Sequence, residues 1–206
     1  MSLKTLVKVS EVNNLSDARY CAGMGVEMIG FTLDENHPKF IQLAKLREIS
    51  VWISGIQVVG EFTGENVENM NYLSQELSLD YIQLNHVVKP ELLAGLKKPI
   101  IQKLILNKNN EMEVENYLIA YKNYAEYFLI ESEEVDSIGP FFSRIKKWCS
   151  TYPIILGFGI KNEDLEKILV DIHPAGIGLK GGTEIKPGLK TFDELSSILD
   201  ILEIND

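Results

Sequence analysis

The chain has 206 residues, of which 45% are apolar, and a formal net charge of −10. This length and composition suit a single domain, 1–206, with one buried core. The negative charge and the lack of a basic patch argue against nucleic acid or an anionic membrane surface as a partner.

No apolar run reaches the roughly 18 residues that a transmembrane helix needs. The opening M-S-L-K also lacks the apolar segment of a signal peptide, so we expect a cytoplasmic protein. Two cysteines, Cys21 and Cys149, do not make a disulfide framework, which agrees with a reducing compartment.

Apolar, β-branched runs alternate along the chain with stretches whose apolar residues have helical spacing. Ser16 can cap the first helix, and Thr191 with Glu194 has the spacing of a capping box on the last one. The predicted strands are 6–10, 28–33, 56–62, 81–84, 99–105, 127–130 and two more that close at Gly157 and Gly181. The predicted helices are 16–23, 43–53, 66–77, 90–96, 111–124, 138–149, one that begins at Asn162, and 191–202.

Eight strand-then-helix units predict a parallel sheet with right-handed crossovers. The count of eight favours closure into an α/β fold of the (β/α)8 TIM-barrel type. An open doubly wound sheet is the alternative, but no G-x-G-x-x-G follows the first strand.

Glycines follow the last two predicted strands, and they suggest a phosphate site. Gly157 and Gly159 close the seventh strand, and Gly181 and Gly182 close the eighth. Exposed backbone N–H groups near a helix N-terminus can hold a phosphate, which is where (β/α)8 barrels often bind one. The alternative is that these glycines only permit tight turns with positive φ.

The order and spacing of several segments resemble the phosphoribosylanthranilate isomerase family of tryptophan biosynthesis, whose members are (β/α)8 barrels. The resemblance covers essentially the whole chain. The segments are V-K-V-S at 7–10, I-G-F at 29–31, H-P-K-F-I at 37–41, V-V-G-E-F at 58–62, I-Q-L at 82–84, F-L-I-E-S at 128–132, I-L-G-F-G-I at 155–160 and G-G-T-E-I-K-P-G-L-K at 181–190.

The resemblance implies an Amadori rearrangement, in which an acid opens a furanose ring and a base removes the proton at C2. The family's basic cysteine corresponds to Ser10, and its acidic aspartate corresponds to Glu131. Glu11 stands where the family has glycine. A serine needs a partner to act as a base, and Lys8 lies on the same side of the strand. Alternatively, Glu11 is the base and Glu131 the acid, or Glu11 is only a solvated loop carboxylate.

The resemblance also implies residues that bind the substrate. Lys39 corresponds to an arginine of the family's S-P-R-Y loop, and Asn85 to a histidine that follows Q-L. Gln83 and Lys8 complete the predicted substrate-binding set. We expect a phosphorylated small molecule as the partner, no cofactor, and a monomer or homodimer. No set of His, Cys, Asp and Glu has metal-ligand spacing, so we expect no metal.

Two other functions remain open at this point. A non-catalytic relative would bind a phosphorylated ligand without converting it. A barrel isomerase or aldolase for another phosphosugar would use Lys8 or Lys103 on the inner face of the barrel.

Overall fold

In the computed structural model, which describes residues 2–64, 66–181, 183–186 and 189–204, eight parallel strands close into a barrel in chain order. Closure is direct, because Leu6 to Ser10 of the first strand pair with Gly176 to Lys180 of the eighth. The predicted (β/α)8 barrel is therefore confirmed, and the open sheet is excluded. The strands are β1 Leu6–Ser10, β2 Met28–Thr32, β3 Gln57–Phe62, β4 Tyr81–Leu84, β5 Ile100–Ile105, β6 Ala125–Glu131, β7 Ile154–Leu156 and β8 Gly176–Lys180.

A helical segment follows each strand and covers the outside of the barrel. The seventh helix is only one turn long, but a π-helical turn, Ile168–Ile172, continues it. That turn ends at His173, whose φ of 55° is left-handed, as is common where helices stop. The helices are α1 Leu15–Gly23, α2 Leu43–Trp52, α3 Val67–Glu76, α4 Pro90–Leu93, α5 Glu111–Tyr121, α6 Phe142–Cys149, α7 Leu165–Lys167 and α8 Asp193–Leu202.

Three predicted helix starts are wrong. The side chain of Asn14, not of Ser16, caps α1 and accepts a hydrogen bond from the Asp17 N–H at 2.9 Å. Thr191 does not cap α8, because it belongs to a strand, β10 (Leu189–Thr191), that pairs antiparallel with β9 (Thr183–Lys186). Residues engaged in this hairpin cannot also open a helix, so α8 begins at Asp193. The predicted helix at Asn162 likewise begins later, at Leu165.

The barrel interior changes from apolar to polar along the strands. An apolar cluster fills the lower part, where side chains from six strands pack together: Met28, Val59, Tyr81, Ile101, Leu129 and Ile155. Further along the strands, the inward-facing residues at the carboxyl ends are buried and polar. Among them are Ser10, Thr32, Glu61, Gln83 and Glu131. The strand register therefore gathers polar groups at the end where (β/α)8 barrels build their sites.

The described helices are also all too short or too polar to span a bilayer.

Candidate active site

A cavity of about 190 Å³ opens at the carboxyl ends of the strands. Five of the predicted site residues line it: Ser10, Glu11, Gln83, Asn85 and Glu131. The cavity also has lining residues that the sequence did not suggest as site residues, namely Thr32, His37, Glu61 and Thr63, and it includes Lys103. The structure thus brings most of the predicted polar residues into one place.

A buried ion pair lies directly beneath this pocket. The Lys8 Nζ lies 2.8 Å from Glu61 Oε1 and donates a hydrogen bond to the Ser10 hydroxyl at 2.6 Å. Lys8 is 0% exposed and does not line the cavity, so it does not contact a ligand there, contrary to its predicted substrate-binding role. It acts on the pocket only through Ser10 and Glu61.

The Lys8–Glu61 ion pair also limits the acid–base chemistry of Ser10. The Lys8 Nζ donates hydrogen bonds to both Glu61 and Ser10, so it is not placed to accept the serine proton. The Ser10 oxygen already accepts a hydrogen bond from that nitrogen. Ser10 is thus held between Lys8 and Glu61, and this geometry does not support it as a general base.

Glu61 remains ionised in spite of its burial. Desolvation raises the pKa of Glu61, but the charge and hydrogen bond of Lys8, with weaker hydrogen bonds from Ser10 and the Glu11 N–H, outweigh it. The net pKa of Glu61 therefore lies below its ordinary value of 4.5. Thr32 adds a long contact of 3.4 Å from its hydroxyl to Glu61 Oε2.

Gly30 provides the room that this pair needs. A Cβ on Gly30 would overlap Glu61 Oε1 and lie 2.9 Å from Lys8 Nζ. Gly30 lies on β2, which is next to β3 in the barrel. Thr32, two residues further along β2, is the strand partner of Glu61 on β3. The glycine of the I-G-F segment is thus required by a charge pair that the sequence did not reveal.

A second ion pair lines the pocket itself. Lys103 Nζ, on β5, lies 2.8 Å from Glu131 Oε2, at the end of β6, and the two side chains are 18% and 10% exposed. Lys180 Nζ lies 4.0 Å from both Glu131 Oε2 and Glu11 Oε1. Gly157 makes space for the glutamate, because a Cβ there would lie 2.8 Å from Glu131 Cγ. Positive and negative groups therefore alternate around the pocket.

Glu11 has a strained backbone. Its φ is 59°, in the left-handed region that side chains other than glycine seldom adopt. Its N–H points to Glu61 Oε2 at 3.4 Å, and Gly181 donates a hydrogen bond to the preceding carbonyl of Ser10 at 2.9 Å. The surrounding contacts thus hold the Glu11 carboxylate at the rim of the pocket.

An amide pair forms the wall at β4. Gln83 Nε2 donates to Asn85 Oδ1 at 2.6 Å. Among the described residues, the buried Gln83 Oε1 has no hydrogen-bond partner. Because a buried acceptor without a partner is costly, this oxygen is suited to accept a hydrogen bond from a ligand hydroxyl.

A separate cavity of about 360 Å³, the glycine cup, adjoins β7 and β8 and is lined by Gly157, Gly159, Lys180, Gly181 and the first turn of α8. The glycine N–H groups are less available to bind a phosphate than the sequence suggested. Gly157 donates to the Ile130 carbonyl at 2.8 Å and Gly181 to the Ser10 carbonyl at 2.9 Å, so neither N–H is available to a phosphate.

Of the other two predicted phosphate glycines, Gly182 lies outside the described residues. Gly159 has a φ of 64°, and a Cβ there would lie 2.8 Å from the Ile138 nitrogen, so the turn requires glycine. Phe158 also lines the glycine cup, and its ring packs edge-on against Phe141. Space at the glycines and the Lys180 charge are therefore what the cup offers an anion, and α8 contributes the apolar Leu195 and Ile198 to its wall.

The loop after β2 reaches the pocket through His37 instead of Lys39. Lys39 is not among the residues that line the cavity, and its N–H donates to His37 Nδ1 at 3.1 Å. His37 had the sequence signature of a turn residue only. Within the described part of the chain, no group of three or more His, Cys, Asp or Glu could hold a metal ion.

Comparison with known proteins gives a consistent assignment. A family model described as N-(5'phosphoribosyl)anthranilate (PRA) isomerase matches residues 7–200. The N-(5'-phosphoribosyl)anthranilate isomerase of Petrotoga mobilis is 26% identical over 209 residues, which cover 93% of this chain and 97% of that protein.

Solved structures show the same fold. The phosphoribosyl anthranilate isomerase of Thermotoga maritima superposes with a TM-score of 0.82 at 22% identity, covering 96% of this chain and 98% of that one. A second isomerase structure, with a TM-score of 0.77, 22% identity and the same coverage, contains reduced 1-(o-carboxyphenylamino)-1-deoxyribulose 5-phosphate.

Proposed function

The chain belongs to the PRA isomerase family, and from this premise we propose that it converts N-(5'-phosphoribosyl)anthranilate into 1-(o-carboxyphenylamino)-1-deoxyribulose 5-phosphate in tryptophan biosynthesis. The observation that carries the proposal is the junction of two cavities at Gly157. This glycine lines the glycine cup, and its missing side chain admits Glu131 of the neighbouring pocket.

Lys180 provides the second link between the two cavities. It lines the glycine cup, and its ammonium lies 4.0 Å from the Glu131 and Glu11 carboxylates. A phosphate in the cup would be attracted to Lys180. The attached ribose would then extend over Glu131, where proton transfer is needed.

The pocket supplies what the rearrangement requires. Glu131 and Lys103 offer an acceptor and a donor of protons, and Gln83 Oε1 offers an acceptor for a sugar hydroxyl. Positioning a reacting sugar among such groups lowers the barrier by fixing orientation in advance.

The test is turnover of N-(5'-phosphoribosyl)anthranilate by the purified protein, together with rescue of a tryptophan auxotroph that lacks the isomerase. Glu131→Gln should lower kcat by about a hundredfold or more, as expected for a proton-transfer group. Glu133→Gln, at an exposed position two residues away, is the matched control and should leave kcat unchanged. Wild-type protein with neither turnover nor rescue would contradict the proposal.

One observation favours a second function, the binding of a phosphorylated ligand without turnover. The residue that replaces the family's basic cysteine, Ser10, is engaged by Lys8 and is not a base in this geometry. This second function predicts that ribose 5-phosphate or inorganic phosphate raises the melting temperature of a protein that has no isomerase activity.

A further inference from the structure

The ion pair between Lys103 and Glu131 contains both a proton donor and a proton acceptor within the pocket. Resting on the function proposed above, we propose that Lys103 is the acid that opens the ribose ring and that Glu131 is the base that removes the C2 proton. This reverses the role that the family resemblance implies for Glu131.

The reversal follows from the charge state of the pair. Lys103 Nζ lies 2.8 Å from Glu131 Oε2, and Lys180 adds a second positive charge at 4.0 Å. In an ion pair of this kind the carboxylate oxygen is the accepting partner and the lysine nitrogen the donating one. A carboxylate accepts protons and has none to donate. Glu131 is therefore equipped to take a proton from carbon, and the acid has to be another group.

Among the lysines at or next to the pocket that the structure describes, Lys103 is the one placed to be that acid. Lys8 is fully buried and is committed to Glu61 and Ser10. Lys180 is 60% exposed and lies against the glycine cup, where a phosphate would hold it. Lys103 lines the pocket, is largely shielded from solvent, and contacts the base directly.

The protons balance within the pair. Lys103 gives a proton to the ring oxygen as the C1–O bond breaks and the anilino nitrogen lone pair forms a C=N bond. Glu131 then takes the C2 proton, and the C–H electron pair neutralises the iminium as an enol-amine. The proton on Glu131 passes to the Lys103 amine, whose nitrogen lies 2.8 Å from the carboxylate, which restores both groups. The enol-amine becomes the ketose by moving its enol proton to C1, so no other reactant is needed.

The assignment also accounts for the other carboxylates of the pocket. Glu61 is neutralised by Lys8 beneath the pocket, and Glu11 lies at the rim with its side chain 30% exposed. Loss of the family's basic cysteine is then tolerated, because Glu131 has taken over proton abstraction.

The experiment compares wild type, Lys103→Arg and Lys103→Met with Lys147→Arg as the matched control. Lys147 forms a 3.0 Å ion pair with Glu115 on the surface, far from the pocket, so its replacement repeats the same chemical change where no reaction occurs. Arginine retains the charge and the ion pair but does not release its proton at neutral or mildly alkaline pH.

We expect Lys103→Arg and Lys103→Met to lower kcat by about a hundredfold or more, with little change in KM. Both variants should still bind reduced 1-(o-carboxyphenylamino)-1-deoxyribulose 5-phosphate, which shows that the pocket is intact. Lys147→Arg should behave as wild type.

The possible failures are distinguishable. An active wild type with a Lys103→Arg variant that retains most of its kcat would overturn the role of Lys103 and leave the isomerase function standing. A loss that appears only as weaker binding of the reduced product would assign Lys103 to substrate binding and would also overturn its role as the acid. A wild type without turnover would overturn the isomerase function and this assignment together.

Discussion

The Lys8 ammonium and the Glu61 carboxylate lie 2.8 Å apart in the centre of the barrel, and neither side chain is more than 2% exposed. Removing two charges from water is costly, and their attraction offsets this cost only while both partners are present. The stability of the upper part of the barrel therefore depends on Lys8 and Glu61 being present together.

Removing one partner of the Lys8–Glu61 pair should lower the free energy of unfolding much more than removing both. We expect Lys8→Met or Glu61→Gln alone to lower the free energy of unfolding by about 3–5 kcal/mol, because each leaves an unpaired buried charge or polar group. The double variant Lys8→Met/Glu61→Leu should recover much of that loss. Urea denaturation of the three variants measures the coupling.

The exposed pair between Arg47 and Glu76, at 3.2 Å, provides the control for this comparison. Its single variants Arg47→Met and Glu76→Gln should each change the free energy of unfolding by about 1 kcal/mol or less. The interpretation fails if the single variants at Lys8 and Glu61 cost no more than those at the surface pair.

The lowered pKa of Glu61 makes this stabilisation dependent on pH. Because the folded pKa lies below the ordinary 4.5, the stabilisation is fully present above that value and is lost as the pH falls through the folded pKa. The free-energy difference between wild type and Lys8→Met/Glu61→Leu should therefore move against the wild type between about pH 5 and pH 3. A difference that stays constant over this range would show that Glu61 does not contribute by its charge.

Gly30 should be intolerant of even one added carbon. In Gly30→Ala the new methyl would overlap Glu61 Oε1, so the buried pair must shift. We expect a loss of about 1–3 kcal/mol in the free energy of unfolding, typical of overpacking. Gly23→Ala, at the end of α1, is the control, since a Cβ there has no atom within 4 Å. If thermal unfolding shows equal effects for both variants, the contact at Gly30 is not limiting.

The fold was predictable because its signals are local. Each strand is a short apolar run, and each is followed by a helical pattern, so counting eight units was enough to predict the barrel. The family resemblance pointed to Ser10 and Glu131 at the ends of their strands, and both line the pocket there. The hairpin of β9 and β10 was missed because the glycines between β8 and α8 were interpreted as a turn leading directly to a helix.

The site was less predictable because its decisive contacts join distant positions. Lys8 and Glu61 are 53 residues apart, and local patterns do not indicate which buried acid meets which buried base. One signal was present, since Glu61 is a charged residue in the otherwise apolar V-V-G-E-F segment. The N–H groups of Gly157 and Gly181 are hydrogen-bonded within the barrel because of the strand register. The sequence does not specify that register.

Glu11 allows a test that separates backbone strain from catalysis. Its φ of 59° costs free energy that glycine would not incur, so Glu11→Gly should raise the free energy of unfolding by about 0.5–1 kcal/mol. Ser78, with a φ of 52° just beyond α3, is the matched control, and Ser78→Gly should stabilise by a similar amount.

The two variants are then compared in turnover. With Glu131 as the base, Glu11→Gly should lower kcat far less than the loss of about a hundredfold that removal of a proton-transfer group causes. Ser78→Gly should not change kcat at all, because it lies outside the pocket. If Glu11→Gly gains stability as Ser78→Gly does but loses about a hundredfold in kcat, the rim carboxylate is the base and the strained backbone is retained to hold it over the substrate.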